Sequence, residues 1–225
     1  MLLGTGTAFG AMAAVFHILN HATFKAALFM SAGIIDHEAH TRDIRRLGGL
    51  RKLMPVTFVI AGIAALSMAG IPLLNGFLSK EMMLEETYHT VLFNSHWLVP
   101  TLATIGSLFS AAYCFRLISH VFLGPVRDDY PAKPHDPGFG LWGPPAFLVV
   151  LVVVIGCAPF LAEPFVKMVT YAVLGGVAEL PDAHLKIWHG FVPALYMSIV
   201  AVIGGLIVLA PVSYTHLTLP TIYSV

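Results

Sequence analysis

Two histidines and one lysine interrupt an otherwise apolar stretch, HILNHATFKAALF, at residues 17–29. His17, His21 and Lys25 recur every four residues, so a helix holds them within about 80° of arc and spreads them over about 12 Å. A charged lysine at the centre of a bilayer costs about 2.5–3.5 kcal/mol, so such a group normally faces protein or water. Because histidine and desolvated lysine can both exchange protons, the row favours a proton relay over side chains that merely pack or snorkel.

A metal site is the alternative chemistry for this row, because H-x3-H places two imidazoles on one helix face. A zinc protease would require H-E-x-x-H, and Ile18 stands where the glutamate belongs. The later HEAH, at residues 37–40, is one residue too short for that motif, and no third ligand is evident. We therefore expect neither a metal nor another cofactor.

A second stretch, MAGIPLLNGFLSKE at residues 68–81, contains helix breakers inside an apolar run. Gly70, Pro72 and Gly76 weaken a helix at this point, and Pro72 also lacks a backbone N–H. The sequence therefore predicts several non-helical residues between 68 and 80. Backbone groups released at that depth must be buried in protein or line a wet cavity, which is typical of ion sites in transporters.

Two charged residues, Lys80 and Glu81, follow these helix breakers directly. Either they belong to an ion site, or they lie at the membrane surface where Ser79 begins a helix as its N-cap. The pattern alone leaves both interpretations open. Glu85 and Glu86, further along, are interpreted as surface residues.

The composition is that of an integral membrane protein. The chain is 57% hydrophobic with a mean hydropathy of +0.83, and its 11% charged residues are under half of the ~25% usual in soluble domains. Zero net charge gives no electrostatic reason to expect nucleic acid as a partner. We expect an all-α, polytopic helix bundle with a broken helix near residues 70–80. The apolar runs cover residues 8–35, 55–90, 97–123, 142–160 and 190–211.

The loop at residues 36–54 carries five of the twelve Lys and Arg residues of the chain. The positive-inside rule therefore predicts that this loop is cytoplasmic, in the inner (plasma) membrane of the cell, and that the first helix runs from outside to inside. The later loops carry too little charge to orient the rest. The run at 55–90 can cross once as a broken helix or twice as two short helices.

The last residues depart abruptly from the membrane pattern. VSYTHLTLPT, residues 212–221, can be back-translated into codons that resemble read-through into a sequencing adapter. We expect residues 212–225 to be a non-native tail and the chain to be a fragment, because it also opens inside an apolar run.

The two polar stretches together resemble the proton-conducting, antiporter-like membrane subunits. This family includes the large membrane subunits of respiratory complex I and of Mrp-type cation/proton antiporters. The motifs HILNHATFKAALF and AALSMAGIPLLNGFLSKEMM carry the resemblance. DHEAHTRDIRRLGGLRKLMP and HLKIWHGFVPAL make the sequence most similar to the A-type subunits of Mrp antiporters, as far as about residue 211.

The resemblance implies a role for each polar residue of the two stretches. His17 and His21 match histidines of a central hydrophilic axis that passes protons between half-channels, and Lys25 matches the lysine one turn beyond. Lys80 matches the lysine at the broken helix, beside the exit half-channel, and Glu81 occupies the acidic position next to it. Residues 1–95 would then form the second half of a proton channel and residues 96–211 the helices that follow it.

The parent function implied by the resemblance is antiport of a monovalent cation, Na⁺, against H⁺ within a multi-subunit membrane complex. The alternative is a complex I-type component of NADH-quinone oxidoreductase, in which redox energy from partner subunits drives the same pathway. A third hypothesis, a membrane metalloenzyme, would require a bound metal. An earlier repeat that carries an intramembrane glutamate–lysine pair in the family has no counterpart in this sequence.

Overall fold

A computed structural model describes residues 2–127, 130–176, 184–188 and 190–218, with side chains described as far as residue 209. Within these ranges the chain forms seven α-helices and no strand beyond an isolated bridge between Leu92 and Ser95. The predicted all-α, multi-pass architecture is confirmed. The helices are α1 (Ala8–Ala39), α2 (Pro55–Ala69), α3 (Asn75–His89), α4 (Leu98–Leu117), α5 (Phe139–Cys157), α6 (Glu163–Val173) and α7 (Pro193–Thr218).

Three helical stretches of the described chain are long and apolar enough to cross a membrane. They are α1, α5, and α4 together with the π-helical residues Ile118–Phe122 that continue it. The helix α2 and the first part of α7, Pro193–Leu209, are shorter apolar helices. The predicted apolar runs thus correspond to helices, with the run at 55–90 divided between α2 and α3.

Two connections pack together at one end of the bundle, which we call the basic end. The α1–α2 loop, residues 40–54, contains the arginine cluster, and the α4–α5 connection lies against it. The Gly49 N–H donates to the Leu123 carbonyl over 3.4 Å, and the Tyr130 hydroxyl donates to the Gly48 carbonyl. α1 and α4 therefore both end at the basic end, and α2 and α5 both begin there.

The helices α2 and α3 together cross the bundle once. Asp136 of the α4–α5 connection accepts hydrogen bonds from the N–H groups of Val56 (2.9 Å) and Thr57 (3.0 Å), which fixes the start of α2 at the basic end. Near the end of α3, Glu86 accepts a 2.5 Å hydrogen bond from Thr7, the N-cap of α1, at the opposite end. The run at 55–90 is therefore one crossing by a broken helix.

The predicted interruption lies between α2 and α3, over residues 70–74. Gly70 caps α2 with a φ of 91°, a left-handed conformation that favours glycine, and its N–H donates to the carbonyls of Leu66 and Ser67. Pro72 follows within the break. The chain resumes a helix at Asn75.

Gly76 is not part of the break, contrary to the sequence interpretation, because it lies in the first turn of α3. Gly76 instead allows α3 to pack closely against α2. A Cβ added to Gly76 would lie 2.0 Å from the Ser67 carbonyl oxygen, so only glycine lets α3 approach α2 this closely. The Gly76 N–H also donates to the Ser67 hydroxyl over 3.0 Å.

The remaining helices pack around this broken crossing. α5 lies against α1, and Gly156 allows its end to approach the Leu73 carbonyl in the break. α7 packs along α4 through Gly204 and Gly205. The backbone of residues 212–218 continues α7. The predicted non-native tail otherwise lies outside the described side chains and residues, so it stays a prediction.

Candidate functional site

A cavity of about 440 Å³ lies between α1, α3 and α4 beside the helix break; we call it the central chamber. It brings His17 and His21 of α1 together with Lys80 of α3, which are far apart in the sequence. The rest of its wall is formed by Phe24, Met68, Met83, Leu102, Ala103, Gly106, Ser107 and Ser110. Three of the predicted site residues thus share one space.

The two histidines follow one another along the wall of the central chamber. Their ring centroids are 5.8 Å apart. His17 is half-buried, and its Nδ1 lies 3.2 Å from the hydroxyl oxygen of Ser79 on α3. His21 is exposed on the open side of the chamber. This contact therefore connects the histidine row to Ser79, which directly precedes Lys80 in α3.

Lys80 is buried, with 9% of its surface exposed, and its ammonium group caps the end of α2. Nζ donates hydrogen bonds to the carbonyls of Met68 (2.9 Å) and Ala69 (3.2 Å). The last carbonyls of a helix lack intrahelical partners and carry the negative end of its dipole. The break therefore creates the electronegative pocket that holds the lysine.

The alternative in which Ser79 begins a helix as its N-cap is wrong, and Lys80 and Glu81 are both buried in the bundle. Leu74 occupies the N-cap position of α3, and Ser79 is fully buried one turn inside the helix. Glu81 is only 1% exposed. Because consecutive helical residues point about 100° apart, Glu81 leaves the helix in a different direction from Lys80.

Glu86 is also buried, so its interpretation as a surface residue is wrong. Its carboxylate accepts the hydrogen bond from Thr7, whose hydroxyl in turn accepts from the Gly10 N–H in the first turn of α1. A carboxylate beside the first turn of a helix interacts favourably with the helix dipole, which explains how a charge is accommodated there. Glu85 is half-buried.

Lys25 lies one turn beyond His21 but outside the wall of the central chamber. Its Nζ sits 5.5 Å from the centroid of the Phe29 ring and 5.8 Å from the centroid of the Tyr113 ring of α4. Each aromatic face attracts the ammonium by about 0.5–2 kcal/mol, with the larger value where water is excluded. The three members of the predicted row are therefore divided between two environments.

A network of uncharged polar side chains beside the break was missed by sequence reasoning. The Asn75 amide donates to the side-chain oxygens of Asn20 (3.1 Å) and Thr23 (2.9 Å), and its Oδ1 accepts from the Ser67 hydroxyl (2.8 Å). Asn20 returns a 3.2 Å hydrogen bond to the Asn75 carbonyl. All four side chains are buried. An asparagine in each of two apolar runs was the available signal, because a buried amide requires several partners.

A further ionic cluster lies outside the membrane-spanning helices, at the start of α6. Glu163 accepts hydrogen bonds from Lys167 (2.7 Å) and from the N–H of Leu185 (3.1 Å), and His184 Nδ1 is 3.1 Å away. The hydrogen bond from Lys167 is the largest of the effects that lower the pKa of Glu163 to about 2. This cluster holds residues 184–185 against α6. Within the described residues, no three His, Cys, Asp or Glu side chains are grouped to hold a metal ion.

Known proteins of similar sequence are membrane subunits. Residues 1–110 match the family described as NADH:quinone oxidoreductase/Mrp antiporter, transmembrane. The chain is 49% identical over 208 residues to the A/B subunit of a probable K⁺/H⁺ antiporter of Rhizobium meliloti (strain 1021), covering 92% of this chain and 21% of the relative. It is 42% identical over 210 residues to the A-type subunit of a Na⁺/H⁺ antiporter of Alkalihalophilus pseudofirmus, covering 88% and 26%.

Two solved structures share the fold. A chain of the Mrp complex from Dietzia sp. DQ12-45-1b superposes with a TM-score of 0.80 at 33% identity, covering 100% of this chain and 24% of the other. A chain of the membrane-bound sulfane sulfur reductase, an archaeal respiratory membrane complex, gives 0.64 at 28% identity, covering 96% and 34%. This chain thus spans about a quarter of the curated relatives or less. Residues 1–110 belong to the NADH:quinone oxidoreductase/Mrp antiporter family, and the apolar helices are those of a multi-pass membrane protein.

Proposed function

We propose that the chain is part of the A-type subunit of an Mrp antiporter, which exchanges a monovalent cation for H⁺ within a multi-subunit complex. In this complex the chain carries the central axis and the exit half of a transmembrane proton pathway. The observation that carries the proposal is the central chamber, where His17, His21 and Lys80 meet at a broken helix. Similarity to antiporter subunits over about nine-tenths of this chain supports it.

The proton moves along the histidines to Lys80. The proton passes first from the ring of His21 to the adjacent ring of His17. The contact between His17 and Ser79 then brings the proton beside Lys80. A cavity of about 440 Å³ has room for several water molecules, each of which occupies about 30 Å³ in the liquid, so water can bridge the remaining gaps. Glu81, buried next to Lys80, belongs to the same pathway.

Proton transfer from Lys80 is coupled to the helix break. The charged ammonium satisfies the carbonyls of Met68 and Ala69, so its deprotonation removes the positive charge that stabilises the end of α2. The buried carbonyls then require water or a backbone adjustment to remain hydrogen-bonded. The break gives the backbone freedom for that adjustment, because residues 70–74 are not held in a helix.

A complex I-type role is the second candidate, and the family match and the structural similarity to a respiratory membrane complex favour it specifically. The same chamber would then be driven by redox energy from partner subunits. In the antiporter, the gradient of one ion drives the movement of the other, without a redox reaction. Na⁺ is our first candidate for the exchanged cation, and K⁺ is the alternative. Relatives described as Na⁺/H⁺ antiporter and as K⁺/H⁺ antiporter subunits both match the chain.

An antiport assay distinguishes these functions in everted membrane vesicles that contain the full-length protein in its complex. Respiration acidifies the vesicle interior, and a pH-sensitive dye reports the gradient. We expect added Na⁺ to dissipate the gradient, with K⁺ as the parallel arm. A gradient that responds to neither cation, but requires quinone-reductase activity of the same complex, would support the complex I-type role instead.

The basic end of the bundle faces the cytoplasm, with the protein in the inner (plasma) membrane. The α1–α2 loop carries five basic residues, and the α4–α5 connection packed on it adds Arg127 and Lys133 to the same end. Short loops rich in Lys and Arg remain on the cytoplasmic side. The charge of this end therefore supports a cytoplasmic position for the α1–α2 loop.

Single cysteines test this topology. We expect cysteines introduced at Thr41 and Lys133 to react with an impermeant maleimide only in everted vesicles, and a cysteine at the exposed Phe93 of the α3–α4 loop only in right-side-out vesicles. Detergent-solubilised protein, in which all three must react, is the control. Reaction of Thr41→Cys and Lys133→Cys from opposite faces would contradict the fold, and reaction of both from outside would reverse the orientation.

A further inference from the structure

The helices α1 and α4 run in the same direction, and two open cavities lie one after the other along the groove between them. The first is the central chamber. The second, which we call the vestibule, has a volume of about 470 Å³ and lies at the basic end. Asp36 and Arg42, joined by an ion pair of 2.8 Å, stand in its wall, together with Phe29 of α1 and Leu117 of α4.

The two cavities follow one another in register along both helices. α1 contributes residues 17–24 to the central chamber and residues 29–36 to the vestibule. α4 contributes residues 102–110 to the chamber, and Leu117 with Val121 of the π-helical continuation lines the vestibule. Residues 25–28 of α1, about one helical turn, and residues 111–116 of α4, nearly two turns, separate the two cavities. Lys25 lies in this stretch of α1, and Tyr113 lies in the corresponding stretch of α4.

The Lys25 ammonium occupies the separating turn between two aromatic rings. Its Nζ is 5.5 Å from the Phe29 centroid and 5.8 Å from the Tyr113 centroid, so the two rings bridge from α1 to α4 through the cation. Both rings are exposed on the open side of the groove. Phe29 also forms part of the vestibule wall, so the Lys25 ammonium lies next to the end of the vestibule that faces the central chamber.

We propose that Lys25, Phe29 and Tyr113 form a gate between the vestibule and the central chamber that passes protons and excludes metal cations. A positive charge fixed between the two cavities repels other cations, as cationic side chains do in selective pores. A proton, in contrast, can be relayed by the lysine itself. Tyr113 is the positioning residue of this gate, since its ring holds the ammonium across the groove.

The passage of protons through the gate rests on the proposed function. Whether the gate excludes a metal cation can be tested without measuring transport. The probe is Ag⁺, a small monovalent cation that reacts with thiols. It is applied from the basic end to the full-length complex in sealed vesicles, with the native cysteines replaced. Ser110→Cys reports on the central chamber, and Ala32→Cys reports on the vestibule.

We expect Ala32→Cys to react rapidly in every background and Ser110→Cys to be protected while Tyr113 is present. Tyr113→Ala should raise the reaction rate of Ser110→Cys by about tenfold or more, because the ring contact with Lys25 is lost. Tyr113→Phe keeps the ring and should keep the protection. Lys25→Met, which removes the charge but keeps the stem, should also admit Ag⁺.

Two results would overturn the gate. One is Ser110→Cys reacting as fast as Ala32→Cys while Lys25 and Tyr113 are intact. The other is Ser110→Cys remaining protected in both Tyr113→Ala and Lys25→Met. Native gels verify assembly of each variant. Failure of the proton pathway itself appears separately, as unchanged antiport in Lys80 variants, and would leave the Ag⁺ result standing.

Discussion

Replacement of Lys80 with arginine should abolish most of the proposed antiport activity of the full-length protein while its complex still assembles. Arginine keeps the positive charge and can donate to the carbonyls of Met68 and Ala69, so the cap on α2 survives. It is effectively unable to release a proton, because the pKa of a guanidinium lies far above neutral pH. Lys80→Arg therefore separates proton exchange from electrostatic capping. Antiport in everted vesicles measures the loss, which we expect to exceed about tenfold.

Lys80→Ala should lose antiport as well, for a different reason. It removes both the proton carrier and the cap, and it leaves two buried carbonyls without their ammonium partner, which costs about 1–3 kcal/mol each. Lys52→Arg, on the exposed basic loop, is the matched control and should be silent. Near-normal antiport in Lys80→Arg would show that Lys80 acts only as a cap.

The largest effect on stability should come from Gly76→Ala. The new Cβ would lie 2.0 Å from the Ser67 carbonyl oxygen, which belongs to the backbone of α2 and cannot rotate away. α3 would have to move, weakening the hydrogen bond from the Gly76 N–H to Ser67 and disturbing the Asn75 network. Overpacking of this kind costs about 1–3 kcal/mol, and the backbone contact places the expected loss at the upper end.

Gly62→Ala is the matched control, because Gly62 lies within α2 and nothing stands within 4 Å of the added Cβ. Alanine is favoured over glycine inside a helix by about 1 kcal/mol, so this variant should be neutral or slightly stabilising. Thermal unfolding of the purified complex in detergent compares the two. Equal midpoints for Gly76→Ala and the parent protein would mean that α2 and α3 do not pack as closely as described.

The helix break was predictable because its cause is local. Gly70 and Pro72 act through their own backbone chemistry, so their positions alone predict where α2 must end. The role of Gly76 was not predictable in the same way. Its requirement for glycine comes from the Ser67 carbonyl of another helix, and that approach exists only after α2 and α3 have packed.

The histidine–lysine row illustrates the same division. Helical periodicity correctly places His17, His21 and Lys25 on one stripe of α1. The neighbour of each side chain depends on the helices opposite. α3 contributes Ser79 to His17, and α4 contributes Tyr113 to Lys25, so residues of one stripe reach different environments.

Burial of charged groups also depended on tertiary structure. The sequence around Lys80 fitted a surface N-cap at Ser79 as well as an interior site, because both use the same residue types. The carbonyls at the end of α2 decide between them by binding the ammonium. Glu86 was misplaced at the surface because its partner, Thr7, lies at the start of a different helix.

We propose above that this chain carries protons for cation/proton exchange through Lys80. The most direct test of this proposal is proton flux into proteoliposomes that contain the purified full-length complex and no respiratory enzyme. A Na⁺ or K⁺ gradient is imposed, and an entrapped pH indicator records the lumen. We predict proton movement opposite to the cation in the wild-type complex and its loss in Lys80→Arg. Cation-driven proton flux of equal size in both complexes would contradict the claim.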